Sequence, residues 1–136
     1  MNPILLDTHA AIWAIVGGLR AEACRLVDAA AARGELLLSP ITAWEIGILA
    51  KKRRLSLTLT VDDFVRALFS RSGVVLAAFT PTIALAATEL PDDVPADPAD
   101  RILIATAAAY GARFVTRDRR IQRYSRSTPH LRCIAC

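Results

Sequence analysis

The sequence contains little cysteine and no long apolar segment, and both absences narrow the class of protein. Its three cysteines are too few and oddly numbered for a disulfide framework, which agrees with a reducing compartment. No apolar run is long enough to cross a bilayer, and the N-terminus lacks the basic and then apolar pattern of a signal peptide. We therefore expect a cytoplasmic protein with no membrane segment.

Histidine-rich or cysteine-rich patterns of the kind that hold zinc are also absent, as are internal repeats, linkers and low-complexity segments. The composition, with 54% hydrophobic and 22% charged residues, excludes a disordered chain. A chain of 136 residues can bury one sizeable core. We therefore expect residues 1–136 to form a single domain.

The net charge of +4 is a mild bias toward polyanions, but its distribution is more informative. Acids cluster between residues 92 and 100, whereas the last segment carries one acid, Asp118, and seven arginines: Arg113, Arg117, Arg119, Arg120, Arg123, Arg126 and Arg132. Basic surface beside an acidic pocket suits a metal-dependent nuclease, because arginines bind phosphates and carboxylates bind the metal. Solvated helix faces explain the same charges equally well at this level.

Short apolar runs mark the strands of the fold. The first run, Ile4–Leu6, leads directly into Asp7. Such runs are typical of strands that are buried on both faces of a parallel sheet. Similar runs predict strands at 36–38, 74–76 and 113–116, with an edge strand at 131–135.

Helical segments alternate with these strands. Capping residues, proline at helix starts and glycine at helix ends delimit helices at about 10–16, 21–32, 40–52, 60–70, 80–90, 98–110 and 119–124. Alternation of strands and helices predicts an α/β protein with a mostly parallel sheet and helices on both faces. We therefore expect a three-layer α/β/α fold with four to five central strands.

Three acids are predicted to lie near one edge of this sheet. Asp7 and Asp118 each follow a strand, and Asp100 opens an apolar helix. Because parallel strands end at the same edge, their side chains should converge there, where open α/β sheets bind ligands. Each acid also has a simpler explanation as a helix cap, and for Asp97 capping is the better interpretation.

Glu45 is a fourth candidate because of its place in its helix. Its spacing from Ile41 and Ile48 puts it on or beside the face that also carries Trp44. A carboxylate there is costly unless it is protonated, bound to metal or paired, for example with Arg101. Several carboxylates in one pocket repel each other without a cation, and oxygen ligands suit Mg²⁺ or Mn²⁺.

Four segments together resemble the successive motifs of PIN-domain ribonucleases, and most closely the VapC-type toxins of bacterial toxin–antitoxin modules. These segments are 7–13 (DTHAAIW), 39–46 with Ser-Pro and Trp-Glu-Ile, 97–105 (DPADRILIA) and 116–118 (TRD). They cover nearly the whole chain in the family's order and spacing. Ala99 and Thr106 depart from the family pattern, which often has an aromatic residue and glutamine there.

The resemblance implies a PIN-like fold and a metal-dependent endoribonuclease. Asp7, Glu45, Asp100 and Asp118 would be the acidic quartet that binds Mg²⁺ or Mn²⁺, with Asp97 and Thr116 in support. Metal-activated water would attack the phosphodiester in line and leave a 5′-phosphate and a 3′-hydroxyl. Arg117 and Arg120 would position the RNA backbone.

The same resemblance implies two protein partners, a small antitoxin whose C-terminal segment covers the site and a second copy of the chain in a homodimer. A non-catalytic RNA- or protein-binding domain is the main alternative. A phospho-receiver domain is disfavoured, since it requires a lysine on a late strand and the only lysines are Lys51 and Lys52.

Three further features have ordinary interpretations. Trp13 and Trp44 could stack on bases, but their positions on apolar helix faces favour the core. His9 is expected to be a packed or rim residue rather than a ligand or base. Cys133 and Cys136 have the spacing of a redox pair but lack the helix that such a pair requires.

Overall fold

The computed structural model describes residues 1–136 as five strands and seven helices. The strands are β1 (Ile4–Leu6), β2 (Leu36–Leu38), β3 (Val74–Leu76), β4 (Arg113–Thr116) and β5 (Arg132–Ala135). The helices are α1 (Thr8–Val16), α2 (Ala21–Ala32), α3 (Pro40–Lys51), α4 (Val61–Ser70), α5 (Pro81–Thr88), α6 (Pro98–Tyr110) and α7 (Arg119–Arg126). Every predicted strand and helix is present.

The five strands form one sheet in the order β3-β2-β1-β4-β5, and all four pairings are parallel. The chain builds outward from β1 to β3 in one direction and then returns to β4 on the other side of β1. The strand order therefore reverses between β1 and β4, where Leu6 pairs with Val115. In open α/β sheets such a reversal opens a crevice beyond the carboxyl ends of the two strands.

Side chains of the buried strands alternate between two separate cores. Ile4 and Leu6 join a core formed with helices α1, α2, α3 and α4, whereas Leu5 joins a core formed with α6 and α7. The α5 helix packs against the outer side of α6 through Ile83, Ala87 and Ala105. The predicted three-layer α/β/α architecture is therefore confirmed, with a sheet that is fully parallel.

Helix starts follow the capping residues of the sequence. Ser39 accepts a hydrogen bond from the Ile41 backbone N–H at 3.2 Å, and Thr80 accepts one from the Ile83 N–H at 3.2 Å. Helix α1 begins two residues earlier than predicted because Asp7 caps it. None of the seven helices combines the length and apolar composition that a membrane span requires.

The prediction that Trp44 lies in the core is wrong. Its side chain is 60% exposed, while the buried positions of α3 are Thr42 and Ile46. The apolar residues of α3 surround much of the helix, so sequence spacing did not identify the face that is buried. Trp13 is half-buried rather than fully in the core, and His9 is exposed, as expected for a rim residue. The thiols of Cys133 and Cys136 are free.

Gly73 is the glycine whose replacement should cost the most stability. It has φ +85°, and a Cβ there would overlap the backbone carbonyl of Ala31 at the end of α2. Gly34 has a similar φ of +69°, but a Cβ there would meet nothing within 4 Å. We expect Gly34→Ala to cost about 1 kcal/mol from the left-handed backbone. Gly73→Ala should cost more than about 3 kcal/mol, because the carbonyl must also move. Urea denaturation tests this, and equal losses would contradict it.

Candidate functional site

Five carboxylates line one cleft of about 540 Å³ beyond the carboxyl ends of β1 and β4. They are joined in its lining by Thr8, His9, Trp13 and Arg117; the five acids are Asp7, Glu45, Asp97, Asp100 and Asp118. We call this the acidic cleft. The structure thus brings together all four acids of the predicted quartet and the additional acid Asp97.

Asp7 is oriented by groups at the reversal of the sheet. Its Oδ1 atom accepts a hydrogen bond from the His9 backbone N–H at 2.9 Å, which caps α1. Its Oδ2 atom accepts one from the Thr116 hydroxyl at 2.7 Å. Thr116 is fully buried at the end of β4, so its hydroxyl cannot be replaced by water without a rearrangement. The strand pairing of β1 with β4 therefore fixes the direction of the Asp7 carboxylate.

The same threonine connects Asp7 to Asp118. The Thr116 oxygen accepts a hydrogen bond from the Asp118 N–H at 3.1 Å. Asp118 Oδ1 in turn accepts from the N–H groups of Arg120 at 2.8 Å and Ile121 at 3.1 Å, which caps α7. Both acids are therefore helix caps and members of the acidic cleft at once, so the two interpretations offered by the sequence do not exclude each other.

Glu45 reaches the acidic cleft from the first half of α3. Its carboxylate accepts a hydrogen bond from the hydroxyl of Thr8, which lies 3.3 Å from the hydroxyl of the buried Thr42. Thr8 is a supporting residue that sequence reasoning missed. The only sequence signal for it was its position directly after Asp7.

The alternative that Glu45 pairs with Arg101 is wrong. The Arg101 guanidinium instead donates to three backbone carbonyls, those of Ala87 at 3.1 Å, Leu90 at 2.5 Å and Pro91 at 3.3 Å. These bonds tie the end of α5 to α6 at the start of the loop that leads to Asp97. Glu45 is left without a basic partner.

Asp97 and Asp100 complete the acidic cleft from the start of α6. Asp97 caps this helix by accepting a hydrogen bond from the Asp100 N–H at 3.1 Å. Carboxylate oxygens of Glu45, Asp97 and Asp100 all lie within 4.8 Å of one another. Oxygen ligands on opposite sides of a hard divalent cation are about 4–5 Å apart, so this spacing fits one ion. The all-carboxylate donor set suits Mg²⁺ or Mn²⁺.

Burial and mutual repulsion raise the pKa values of these acids. The pKa of Asp100 is raised to about 7, first by burial and then by the charges of Asp97, Asp7, Glu45 and Asp118. Burial also raises the pKa of Asp7 and that of Glu45, against the hydrogen bonds from Thr116 and Thr8. A divalent cation in the acidic cleft would offset both the lost hydration and the repulsion.

Arg117 forms one wall of the acidic cleft together with Trp13. Its guanidinium carbon lies 3.7 Å from the Trp13 ring centroid, and its N–H groups donate to the carbonyls of Cys136 at 2.7 Å and Gly18 at 2.8 Å. The His9 ring is tilted against Trp13 at 5.6 Å. Arg117 therefore has a structural role that its sequence position did not reveal. The other predicted RNA contact, Arg120, lies outside the acidic cleft along α7.

Two substitutions of Thr116 distinguish the contribution of its hydrogen bonds from that of its packing. Thr116→Val keeps the shape but leaves the Asp118 N–H and Asp7 Oδ2 without this partner, at a cost of about 1–3 kcal/mol. The resemblance to PIN-domain ribonucleases makes RNA cleavage the activity to measure, and we expect it to fall by about 10–100-fold, the usual loss when a group that orients a metal ligand is removed. Thr116→Ser retains the hydroxyl and should keep most activity. A valine variant as active as the serine variant would contradict the orienting role.

Comparisons with known proteins agree with this arrangement. The PIN domain family model matches residues 4–127. Ribonuclease VapC22 of Mycobacterium tuberculosis (strain ATCC 25618 / H37Rv) is 35% identical to this chain over 133 residues, which cover 95% of this chain and 97% of that protein. The predicted family is therefore confirmed from sequence.

Solved structures support the fold independently. A DNA-bound VapBC from Salmonella typhimurium superposes with a TM-score of 0.70 at 18% identity, covering 99% of this chain and 98% of that chain. VapBC2 from Rickettsia felis, bound to a DNA fragment from its promoter, has a TM-score of 0.69 at 14% identity, covering 97% of both chains. A toxin–antitoxin complex from Klebsiella pneumoniae has a TM-score of 0.61 at 22% identity, covering 94% of both chains. From its sequence match, its acidic cleft and its topology, this chain belongs to the PIN-domain family.

Proposed function

We propose that residues 1–136 form a single PIN-like ribonuclease domain, a metal-dependent endoribonuclease that acts as the toxin of a toxin–antitoxin module. The convergence of five carboxylates in one cleft, in a chain related to ribonuclease VapC22, is the observation that carries this proposal. Asp7, Glu45, Asp100 and Asp118 are the proposed metal ligands and catalytic residues, and Asp97 and Thr116 support them.

The side chains of the acidic cleft are suited to orient a metal and a phosphate. Thr116 fixes the carboxylate of Asp7, Thr8 fixes that of Glu45, and two backbone N–H groups fix that of Asp118. Mg²⁺ or Mn²⁺, when bound, lowers the pKa of a water and neutralises charge on the scissile phosphate. Arg117 and Arg120 are proposed to contact the RNA backbone on the two sides of Asp118.

A non-catalytic binding domain is the weaker alternative. Such a domain gains nothing from half-buried carboxylates whose pKa values are raised by burial and by each other, since they destabilise the fold when ionised. A phospho-receiver is not favoured either, because the only two lysines lie at the end of α3 and neither lines the acidic cleft.

The proposed partners follow from the relatives rather than from the geometry. The structural neighbours are toxin–antitoxin complexes, which supports a small antitoxin as a partner of this chain. Its place over the acidic cleft is proposed from the family resemblance alone. We also propose that two copies of this chain form a homodimer. A toxin that cleaves RNA acts where cellular RNA is, so the cytoplasmic location predicted from the sequence belongs to the same proposal.

The ends of the RNA products test the proposed chemistry. Attack by a metal-activated water leaves a 5′-phosphate and a 3′-hydroxyl, whereas attack by the ribose 2′-hydroxyl leaves a cyclic phosphate and a 5′-hydroxyl. We expect ligation to adaptors that require a 5′-phosphate to capture the products made with Mn²⁺. Products that carry cyclic phosphates would contradict a metal-activated water as the nucleophile.

A further inference from the structure

A second cleft, which we call the α7 cleft, lies along the last helix and is lined by Asp93, Arg120, Arg123, Tyr124 and Ser127. Its volume is about 320 Å³. Arg120 and Arg123 are three residues apart on a helix, so their side chains project from neighbouring positions of one face. The opposite face of α7 packs into the core through Ile121.

Neither arginine of the α7 cleft is neutralised within the chain. The ion pairs of the structure are Arg33–Glu35, Arg66–Asp62 and Arg71–Asp28, so Arg120 and Arg123 have no carboxylate partner. Asp93 lines the same cleft but pairs with neither of them. The Ser127 hydroxyl donates to the Tyr124 carbonyl at 2.9 Å, whereas the two exposed guanidinium groups donate to no group of the chain. Guanidinium donors without partners favour a phosphate as the ligand.

Both walls of the α7 cleft are connected along the chain to residues that line the acidic cleft. On one side, Arg120 donates its backbone N–H to Asp118, which lines the acidic cleft. On the other side, Asp93 belongs to the loop that carries Asp97. An RNA strand with its scissile phosphate among the acids would therefore have the two arginines within the neighbouring cleft.

The two clefts have opposite charge, and this difference sets their roles. Five carboxylates repel a polyanion, so the acidic cleft supplies no affinity for RNA in the absence of a cation. Arginines supply affinity that needs no metal and that weakens with salt, because each phosphate contact releases condensed counterions. We propose that the α7 cleft binds the RNA backbone through Arg120 and Arg123 at a phosphate outside the scissile position. This inference rests on the proposed function, since it takes RNA as the ligand.

RNA binding in EDTA tests the α7 cleft apart from cleavage. The affinity of a mixed-sequence single-stranded RNA is measured over a range of salt concentrations for the wild type, Arg123→Gln and Arg25→Gln. Arg25 is an exposed arginine of α2 without an ion pair, on the other side of the sheet, and serves as the matched control. We expect Arg123→Gln to weaken binding by about tenfold, the typical loss for a charged hydrogen bond.

The salt dependence adds a readout that a general loss of stability would not produce. One lost phosphate contact should reduce the slope of log affinity against log salt by about 0.7. Arg25→Gln should change neither the affinity nor the slope. An Arg123→Gln variant that binds like the wild type with the same slope overturns the inference. Binding is measured without metal and therefore does not depend on cleavage. If the proposed cleavage chemistry is wrong, the binding result stays the same, so the two failures can be told apart.

Discussion

Replacing Asp100 with asparagine is expected to lower the rate of RNA cleavage by at least about a hundredfold, since even groups that only orient a metal ligand contribute 10–100-fold. Asp100 accepts no hydrogen bond within the chain, and its oxygens lie beside those of Glu45 and Asp97. Asparagine keeps the size of the side chain but removes the charge that would attract the cation. The variant should therefore lose activity without losing packing.

The same substitution should raise stability in metal-free buffer. The pKa of Asp100 is about 7 in the folded chain, raised from 3.8 by burial and by the neighbouring carboxylates. Between these values the folded state holds a proton that the unfolded state releases, so the free energy of unfolding falls as the pH rises through this window. Asparagine does not titrate, so the free energy of unfolding of the Asp100→Asn variant does not fall for this reason. After allowance for the partial exposure of the side chain, we expect a gain of about 1–2 kcal/mol above pH 7.

Urea denaturation in EDTA between pH 5 and pH 8 measures this gain. The difference between Asp100→Asn and the wild type should grow with pH, and Asp92→Asn, at an exposed position of the loop before α6, serves as the matched control. An Asp100→Asn chain that unfolds more easily than the wild type at neutral pH without metal would contradict the account, because loss of a repelling charge should not destabilise the fold.

A divalent cation is expected to stabilise the wild type by an amount that depends on its concentration. A ligand that binds only the folded state at a hundred times its Kd adds about 2.7 kcal/mol. For a chain of this length that corresponds to a rise in Tm of about 10 °C. The physical cause is that the cation relieves the repulsion among carboxylates that the fold holds together, three of them with oxygens within 4.8 Å.

Differential scanning fluorimetry with Mn²⁺ or Mg²⁺ measures this stabilisation. Sodium chloride at matched ionic strength controls for screening of surface charge, and Asp100→Asn should lose most of the shift. An equal shift in the wild type and the variant, or an equal shift with sodium chloride, would indicate nonspecific screening and would contradict a metal site in the acidic cleft.

Most of the fold could be predicted because short apolar runs and helix caps determine it locally. Ile4–Leu6 is buried on both faces of the sheet, as its uniform apolar sequence predicted. The convergence of Asp7, Asp100 and Asp118 followed from the shared direction of parallel strands. Caps and site residues could not be separated from the sequence, because the structure uses the same carboxylates for both purposes.

The errors and omissions concern contacts that sequence spacing does not encode. Trp44 shares an apolar face with Ile41 and Ile48, which predicts burial, but α3 is apolar on more than one face and only the tertiary structure shows which face is covered. Arg101 and Arg117 donate to backbone carbonyls, which are available at every residue and carry no sequence signal. The role of Thr8 depends on the approach of α3 to α1, which brings together two residues, Thr8 and Glu45, that lie 37 positions apart in the sequence.

Cleavage of total RNA by the purified chain, compared with Asp100→Asn, tests the central claim most directly. Both proteins are incubated with Mn²⁺, with Mg²⁺ and with EDTA, and the products are resolved by length. We predict discrete products from the wild type that require a divalent cation and disappear in the variant. Cleavage that persists in EDTA and is unaffected by the substitution would contradict a metal-dependent nuclease at the acidic cleft.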